Sequence, residues 1–347
     1  MEGLARVIIN PGGDIGYKSF YILGLERLFG RNNIVYDSCP FIDLPIELKN
    51  GKDILFVIEK SGQQKRYYIS CDDSYQIKDT IWQWTDVYGG VNVNWVKTDK
   101  KYWPKMVSLC PSFGIKCWNP IEAIFYSFQN HNAGFGTLRH CFGRHWRMMQ
   151  RMPYDEYASI QPTQSDRNNI FFLSTLWYND EWNQNDRGVN LARANFIRAA
   201  QKVMPTIGGT FEGGFASQGA DRSSENEFAD CLYHSVPIKE WFVKTAQSAL
   251  VFNTPAFWDC HGWKLGEYMA MGACVLSTKL SNDLPAPLNH GEHIHIVENS
   301  QEAMEDAIRY ILMHPEYNNK LRQNLRNYWQ KYGTPEASLR LLGVTND

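Results

Sequence analysis

Asp259-Cys-His-Gly-Trp-Lys-Leu-Gly-Glu267-Tyr-Met-Ala-Met-Gly272-Ala-Cys-Val-Leu-Ser277 reads as a loop, a short helix and a buried strand. Lys264 and Glu267 stand three residues apart at the start of the helix. One helical turn brings positions i and i+3 onto one face, so a cation lies beside a carboxylate. A helix N-terminus also points free N–H groups and the positive end of its dipole outward, which suits phosphate. A lysine can hold a phosphate, and a carboxylate can accept both hydroxyls of a ribose. The stretch is therefore fitted to grip a nucleoside diphosphate.

The flanks extend the pattern. Ala249-Leu-Val-Phe-Asn253 is an apolar strand that delivers the chain into the loop, and a helix over about 237–247 precedes it. Asn169-Ile-Phe-Phe-Leu-Ser174 opens the same half as a strand, followed by a polar loop rich in Trp, Asn and Asp up to about Arg187. Leu191, Ala194, Ile197 and Ala200 recur at helical spacing and predict a helix over 189–204. Beyond the motif come a short strand at 294–297 and a helix capped by Ser300. A further helix follows Pro315, and a last one begins near Pro335.

The first half begins with a strand over 5–10, the turn Pro11-Gly-Gly-Asp-Ile-Gly16 and a helix over 17–29. Strand, glycine loop and helix in succession open a Rossmann-like unit. Further strands are expected at 33–36, 54–59, 67–71, 91–96 and 106–110, with helices at 122–130 and 138–152. Residues 153–168 are polar and turn-rich and read as a linker. Strand–helix alternation predicts an α/β fold of mostly parallel sheets with helices on both faces. The expected domains are 1–155 and 169–347, with the last helix crossing back to the first, and with a cleft between the halves. Ligands of open α/β sheets bind outside the carboxyl ends of strands, and the motif loop follows such an end.

Composition narrows the function. A hydrophobic content of 44% over 347 residues suffices for two cores. Twelve Trp and eighteen Tyr exceed ordinary need and fit either large cores or stacking platforms for sugar and base rings. A net charge of −2 argues against nucleic acid as a partner. No apolar run is long enough to span a membrane, and no signal peptide is expected. Eight scattered cysteines without a Cys-x-x-Cys pair read as reduced thiols of a cytoplasmic protein.

The motif resembles the donor-binding segment of GT-B glycosyltransferases, especially the family-four type. That pattern runs acid, glycine-containing loop, Glu eight positions later, then Ala-Met-Ala-x-Gly-x-Pro-Val-Val. Asp259, Gly262 and Glu267 stand at its marked positions, followed by Met269-Ala-Met-Gly-Ala-Cys-Val-Leu276. Asp259 replaces Glu, Cys274 replaces Pro, and Lys264 replaces an apolar residue or Pro. A basic residue three before the Glu is closer to exostosin-like transferases. The resemblance implies a GT-B fold of two Rossmann-like domains, the N-terminal one binding the acceptor and the C-terminal one the donor. It implies that Glu267 binds the ribose and that Asp259 meets donor-sugar hydroxyls. Two acids eight apart imply retention at the anomeric carbon, whereas exostosin-like kinship does not.

Other candidates follow. Lys264 would hold phosphate and offset charge on the departing diphosphate without a metal. His261 and Gly262 share the motif loop, and Gly262 permits close backbone approach to a ligand. Arg187, with Arg193 nearby, borders the polar loop where family members place a phosphate-binding Arg. Gly12 and Gly13 correspond to the glycine loop that lies against donor phosphates or acceptor, and the ordinary alternative is plain turn chemistry. Asp14 in that loop is a candidate base toward an acceptor hydroxyl. His131, His140 and His145 cluster in a Gly-, Arg- and aromatic-rich segment, with His140 the chosen base and Arg139 and Arg144 set for an anionic acceptor. Asp72-Asp73 invites a metal reading, but adjacent acids of an extended chain point apart.

These readings predict a cytoplasmic glycosyltransferase moving a sugar from a nucleoside-diphosphate sugar to a hydroxyl of a glycan or lipid-linked glycan. No cofactor and no metal are expected, and peripheral contact with the inner membrane face is allowed. The alternatives are a GT-B epimerase or hydrolase of nucleotide sugars, and a non-catalytic carbohydrate- or partner-binding protein on the same scaffold.

Overall fold

The computed structural model describes residues 5–161, 168–176, 183–216 and 223–346, leaving aside the side chains of 183–187 and 223–226. The chain divides into two compact units. One comprises Met1–Glu156, Asn282–Pro287 and Gln330–Asp347, and the other Tyr157–Ser281 and Leu288–Trp329.

The first unit opens with β1 (Arg6–Ile9), α1 (Ile15–Phe29), β2 (Ile34–Tyr36) and the short α2 (Ile46–Lys49). There follow β3 (Ile54–Lys60), β4 (Gln63–Ser70), α3 (Asp79–Trp84), β5 (Val87–Gly90) and β6 (Met106–Ser108). The helices α4 (Pro120–Asn132) and α5 (Leu138–Met149) form a hairpin, and α6 (Tyr154–Ser159) comes next, its residues from Tyr157 on belonging to the second unit. The six strands form one sheet in the order β2-β1-β3-β4-β5-β6.

This sheet is mixed, not mostly parallel: β3 runs antiparallel to both β1 and β4. The cause is the turn at Ser61-Gly62, where both residues have positive φ, 52° and 78°. Two left-handed turn residues match the twist of antiparallel strands and close a two-residue hairpin. Residues 63–66 are Gln-Gln-Lys-Arg and exposed, so hydropathy marks only the second half of β4. The strand expected at 91–96 is absent. There Asn94 Oδ1 accepts the Lys97 N–H at 3.0 Å and turns the chain, leaving only a bridge from Val93 to Asp283. The stretch expected as linker carries α6. Ile8, Leu55, Val57, Tyr68 and Tyr88 build the core on one face of the sheet, with Phe41 against them.

The second unit contains β7 (Asn169–Thr175), α7 (Asn183–Val203), β8 (Thr210–Ala216), β9 (Leu232–Tyr233) and α8 (Ile238–Gln247). It continues with β10 (Val251–Asn253), α9 (Trp263–Met271), β11 (Val275–Ser277), β12 (His295–Ile296), α10 (Gln301–Met313) and α11 (Pro315–Tyr332). Finally α12 (Pro335–Leu341) lies in the first unit and packs on α1.

All pairings in the second unit are parallel, in two ladders, β7-β8-β9 and β10-β11-β12. The ladders abut along β7 and β10. The Ala249 N–H donates to Asn169 O at 2.7 Å, and the Phe171 N–H to Ser248 Oγ at 3.0 Å. The combined order is β9-β8-β7-β10-β11-β12, the 3-2-1-4-5-6 order of a doubly wound nucleotide-binding sheet. Its direction of winding reverses between β7 and β10. β8 was not foreseen, because Gly213-Gly214 interrupts its apolar pattern. Both glycines have positive φ, and a Cβ on either would collide with the Phe172 or Cys231 carbonyl. Phe172, Phe196 and Phe252 form the centre of the core, with Phe196 and Phe252 stacked at 4.5 Å.

Candidate functional site

The reversal between β7 and β10 opens into a pocket of about 160 Å³. The polar ends of the two strands form one side: Ser174 and Thr175 from β7, Asn253 and Thr254 from β10. Lining by both carboxyl ends shows that β7 and β10 point the same way. The other side is the start of α9, from Gly262 to Lys264, and Arg193 enters from α7. Phe172 and Phe252 form the floor.

Two cations converge here. Lys264 is half-buried, donates to Leu173 O and lies 5.2 Å from the Phe172 ring centroid. Arg193 Nη1 donates to Thr175 O at 2.9 Å. Burial pushes the Lys264 ammonium down to about 7. Arg193 lowers it further, and Glu267 opposes both. A lysine beside an arginine, with Glu267 supplying part of the counter-charge, is a site that favours a further anion. The helix adds to this. Gly262 is the N-cap of α9 and brings no side chain of its own to the helix start. The positive end of the helix dipole suits an anion.

Glu267 lies one turn deeper. It is buried, and Tyr157 OH donates to its Oε1 at 3.1 Å. Tyr157 is itself buried edge-on against Phe242, with ring centroids 4.9 Å apart. The next turns of α9 are closed by Gly272, a left-handed C-cap, before β11. Asp259 is exposed and follows Trp258, and both have positive φ, 61° and 55°. Two successive non-glycine residues in that region are a sparsely populated backbone conformation of the loop. His261 is buried in the same loop. Thus Lys264 and Gly262 line the pocket, whereas Glu267, Asp259 and His261 surround it without lining it.

Arg187 falls within α7, but its side chain lies outside the described residues. Arg193 is the arginine of α7 that lines the pocket. Its signal in the sequence was weak, since only the path of α7 brings it to the ends of β7 and β10. Ser174-Thr175 and Asn253-Thr254 were more accessible: each pair sits where an apolar strand turns polar.

In the first unit the glycine loop is tied down from within. Asn130 Nδ2 donates to Pro11 O at 2.7 Å and to Gly13 O at 3.0 Å, and Lys18 donates to Gly12 O. Gly13 has φ 87°, and a Cβ there would meet Gly51 O. Asp14 caps α1 by accepting the Gly16 N–H at 2.9 Å, and it is ion-paired with Arg144. A proton-accepting role for Asp14 would have to break that pair. His140 is exposed, its backbone N–H bonded to Thr137 Oγ1 at 3.3 Å and its ring against Phe135. His145 is the buried one, stacked on Trp118, and burial lowers its ring below the ordinary histidine range. His131 bonds to Gly136 O through Nδ1 at 2.7 Å. Asp73 is ion-paired with Lys52 at 3.0 Å. Among the described residues no group of three or more His, Cys, Asp or Glu is placed to hold a metal ion, and no helix is long and apolar enough to cross a membrane.

Comparison with known proteins bears on the second unit. Residues 216–341 match the family model described as glycosyl transferase-like. That stretch contains α9 and both strands beside it. No curated protein matches the chain. Solved structures similar to it include a glycosyltransferase from Rickettsia africae, at 13% identity and a TM-score of 0.39, covering 77% of this chain and 66% of that one. Anabaena HepE in complex with UDP and glucose is similar at 12% identity and a TM-score of 0.41, covering 79% and 70%. Sucrose-phosphate synthase from Thermosynechococcus elongatus is similar at 14% identity and 0.42, covering 79% and 62%. The chain thus spans just under two thirds of the Rickettsia protein and of the synthase.

Proposed function

We propose that this chain is a glycosyltransferase of GT-B type, which takes a sugar from a nucleoside-diphosphate sugar and joins it to a hydroxyl of a glycan or lipid-linked glycan. The observation that carries the reading is the pocket at the β7/β10 reversal, where Lys264, Arg193 and the glycine-capped N-terminus of α9 converge. The glycosyl transferase-like match over residues 216–341 supports it.

The diphosphate would sit against α9, replacing bulk water with fixed N–H donors and two cations. Charge grows on the bridging oxygen as the glycosidic bond breaks. Groups placed to meet that charge stabilise the transition state more than the ground state. The positive charge comes from the chain's own side chains, so the reading includes metal independence. Glu267, held by Tyr157, is the carboxylate assigned to the ribose. The first unit is assigned the acceptor.

The test is a thermal-shift titration with UDP, GDP and ADP, with and without EDTA. It is followed by nucleotide release from the matching sugar donor with and without acceptor sugars. A ligand that binds only the native state raises its melting temperature. The expected result is a shift with one diphosphate that EDTA leaves unchanged, and release that accelerates with an acceptor. No shift with any diphosphate would sink the reading. A shift lost in EDTA would remove metal independence alone, and acceptor-independent release would point to a hydrolase.

A further inference from the structure

Helices α4 and α5 are amphipathic in the opposite sense from a core-facing pair. On α4, Ile121, Ile124, Phe125 and Phe128 recur at i, i+3, i+4 and i+7, the spacing of a stripe that normally faces a core. All four are exposed, as are Phe142 and Trp146 on α5, which stack on each other at 5.9 Å. The six range from 40% to 80% exposed. The inward faces carry instead Ala123, Ser127 and Asn130 on α4, and Cys141 and His145 on α5. The inversion is fixed by contacts with other segments. Asn130 holds the glycine loop through two carbonyls, Ser127 bonds to Ala123 O, and His145 bonds to Cys141 O while stacking on Trp118. The Ser127 and His145 bonds lie within their own helices, but turning α4 over would break the Asn130 bonds and turning α5 over would break the Trp118 stack, so the apolar rows stay outside.

The charge on the same hairpin is one-sided. From Pro120 to Arg151 it contains four arginines and a single acid, Glu122. That acid is ion-paired with Arg31 at 2.7 Å and accepts the Asn119 N–H. Of the arginines, Arg144 is paired with Asp14, while Arg139 and Arg147 are exposed beside Phe142 and Trp146 in the sequence of α5. α4 has 13 residues, too few to cross a bilayer. Apolar rows with aromatic residues and arginines on a short amphipathic helix suit the headgroup–acyl boundary, where the helix lies in the plane.

We propose that the α4–α5 hairpin docks the protein on a membrane surface bearing anionic lipid headgroups, with Phe125, Phe128, Phe142 and Trp146 entering the boundary and Arg139 and Arg147 meeting the headgroups. This surface is distinct from the nucleotide pocket and stands or falls independently of the transferase reading.

The test is co-sedimentation of the full chain with vesicles of phosphatidylcholine alone and of phosphatidylcholine mixed with phosphatidylglycerol. Binding is expected to the mixed vesicles and to weaken with salt. The pair Phe125→Ser and Phe128→Ser should lower it by about 10-fold or more. Arg139→Gln with Arg147→Gln should lower it by about 5- to 20-fold. Both variants should keep the wild-type melting temperature and nucleotide-induced shift, since the changed side chains are exposed. No binding to either vesicle would overturn the proposal, as would binding equal on both vesicles. A dimer seen by light scattering that the Phe125→Ser/Phe128→Ser pair dissociates, with no vesicle binding, would assign the face to a second copy instead.

Discussion

Two helices begin after a strand and a glycine-bearing loop, and they use that start in opposite ways. α1, in the first unit, is capped by its own Asp14, whose carboxylate takes the Gly16 N–H and the Arg144 guanidinium. α9, in the second, is capped by Gly262, which brings no side chain. Each region also holds a lysine on a backbone carbonyl, buried in the first and half-buried in the second. Lys18 donates to Gly12 O and is pushed down to about 8 by burial, with Asp53 opposing. Lys264 donates to Leu173 O and is pushed down to about 7, with Arg193 driving it further. The first arrangement sets one lysine against Asp53. The second sets a lysine and an arginine against Glu267, and an arriving anion completes the balance. The difference teaches that strand, glycine loop and helix do not by themselves make a phosphate site: what caps the helix decides.

The largest effect expected from this contrast separates the two lysines. Lys264→Met should lower nucleoside-diphosphate affinity by about 30- to 100-fold, the loss of a charge-assisted contact in a dry site. Folding should survive, since a desolvated cation gives way to an apolar chain of similar length. Lys18→Met should leave affinity within about threefold, because its partners lie within the first unit. Isothermal titration on both variants checks this. Equal losses would mean that the first unit's loop also holds the phosphates.

The contrast can also be broken by giving α9 the cap that α1 has. Gly262 sits in extended backbone, φ −76° and ψ 160°, and the nearest atom to an added Cβ is Ala256 Cβ at 3.8 Å. Gly262→Asp should therefore fit without strain and cap the helix, raising stability by a few tenths of a kcal/mol. Its carboxylate would occupy the N-terminus, and nucleotide affinity should drop by about 10- to 50-fold. Gly262→Ser supplies a neutral cap and should lose far less. If Asp and Ser lose affinity equally, steric blockage and not charge is responsible.

Lys264 gives the pocket a pH dependence. Its folded-state value, about 7, lies below the ordinary 10.5. Between those values the unfolded chain binds the extra proton. Stability therefore rises with pH across that window, and the burial penalty is fully present below 7. A bound diphosphate restores the ammonium, so binding above pH 7 takes up a proton. Affinity should fall by about 5- to 10-fold per pH unit above 7 until the bound-state value is reached. Calorimetry in two buffers of different ionisation enthalpy reads the proton directly. No proton uptake would place the phosphates away from Lys264.

Much of the second unit was legible because its signals are local. An apolar strand ends in Asn253-Thr254, a glycine opens α9, and Gly272 closes it before a buried run. Features set by distant partners were not. β8 hid behind Gly213-Gly214, whose reason is the neighbouring Phe172 and Cys231 carbonyls. Arg193 reads as one more helix residue until α7 is laid beside β7 and β10. In the first unit the polar start of β4 concealed the hairpin that makes the sheet mixed. The spacing of Ile121, Ile124, Phe125 and Phe128 tells that α4 has an apolar face, but not that the face points outward. Periodicity reports a stripe. The Asn130 bonds to the glycine loop and the His145 stack on Trp118 decide its direction.

The smallest expected effect tests the closed end of the comparison. Asp14→Asn keeps an acceptor for the Gly16 N–H, since asparagine caps as well as aspartate. It removes the charge that faces Arg144 and the favourable anion at the start of α1. The expected cost is about 1 kcal/mol of stability, a few degrees in melting temperature, with nucleotide affinity unchanged. Asp14→Ala, which also deletes the cap, should cost about 1 kcal/mol more. If Asp14→Asn instead abolishes transfer to an acceptor while stability holds, the carboxylate acts as the base and its pairing with Arg144 is a resting state. The same helix start would then serve chemistry in the first unit and phosphate binding in the second, the cap's charge still deciding which.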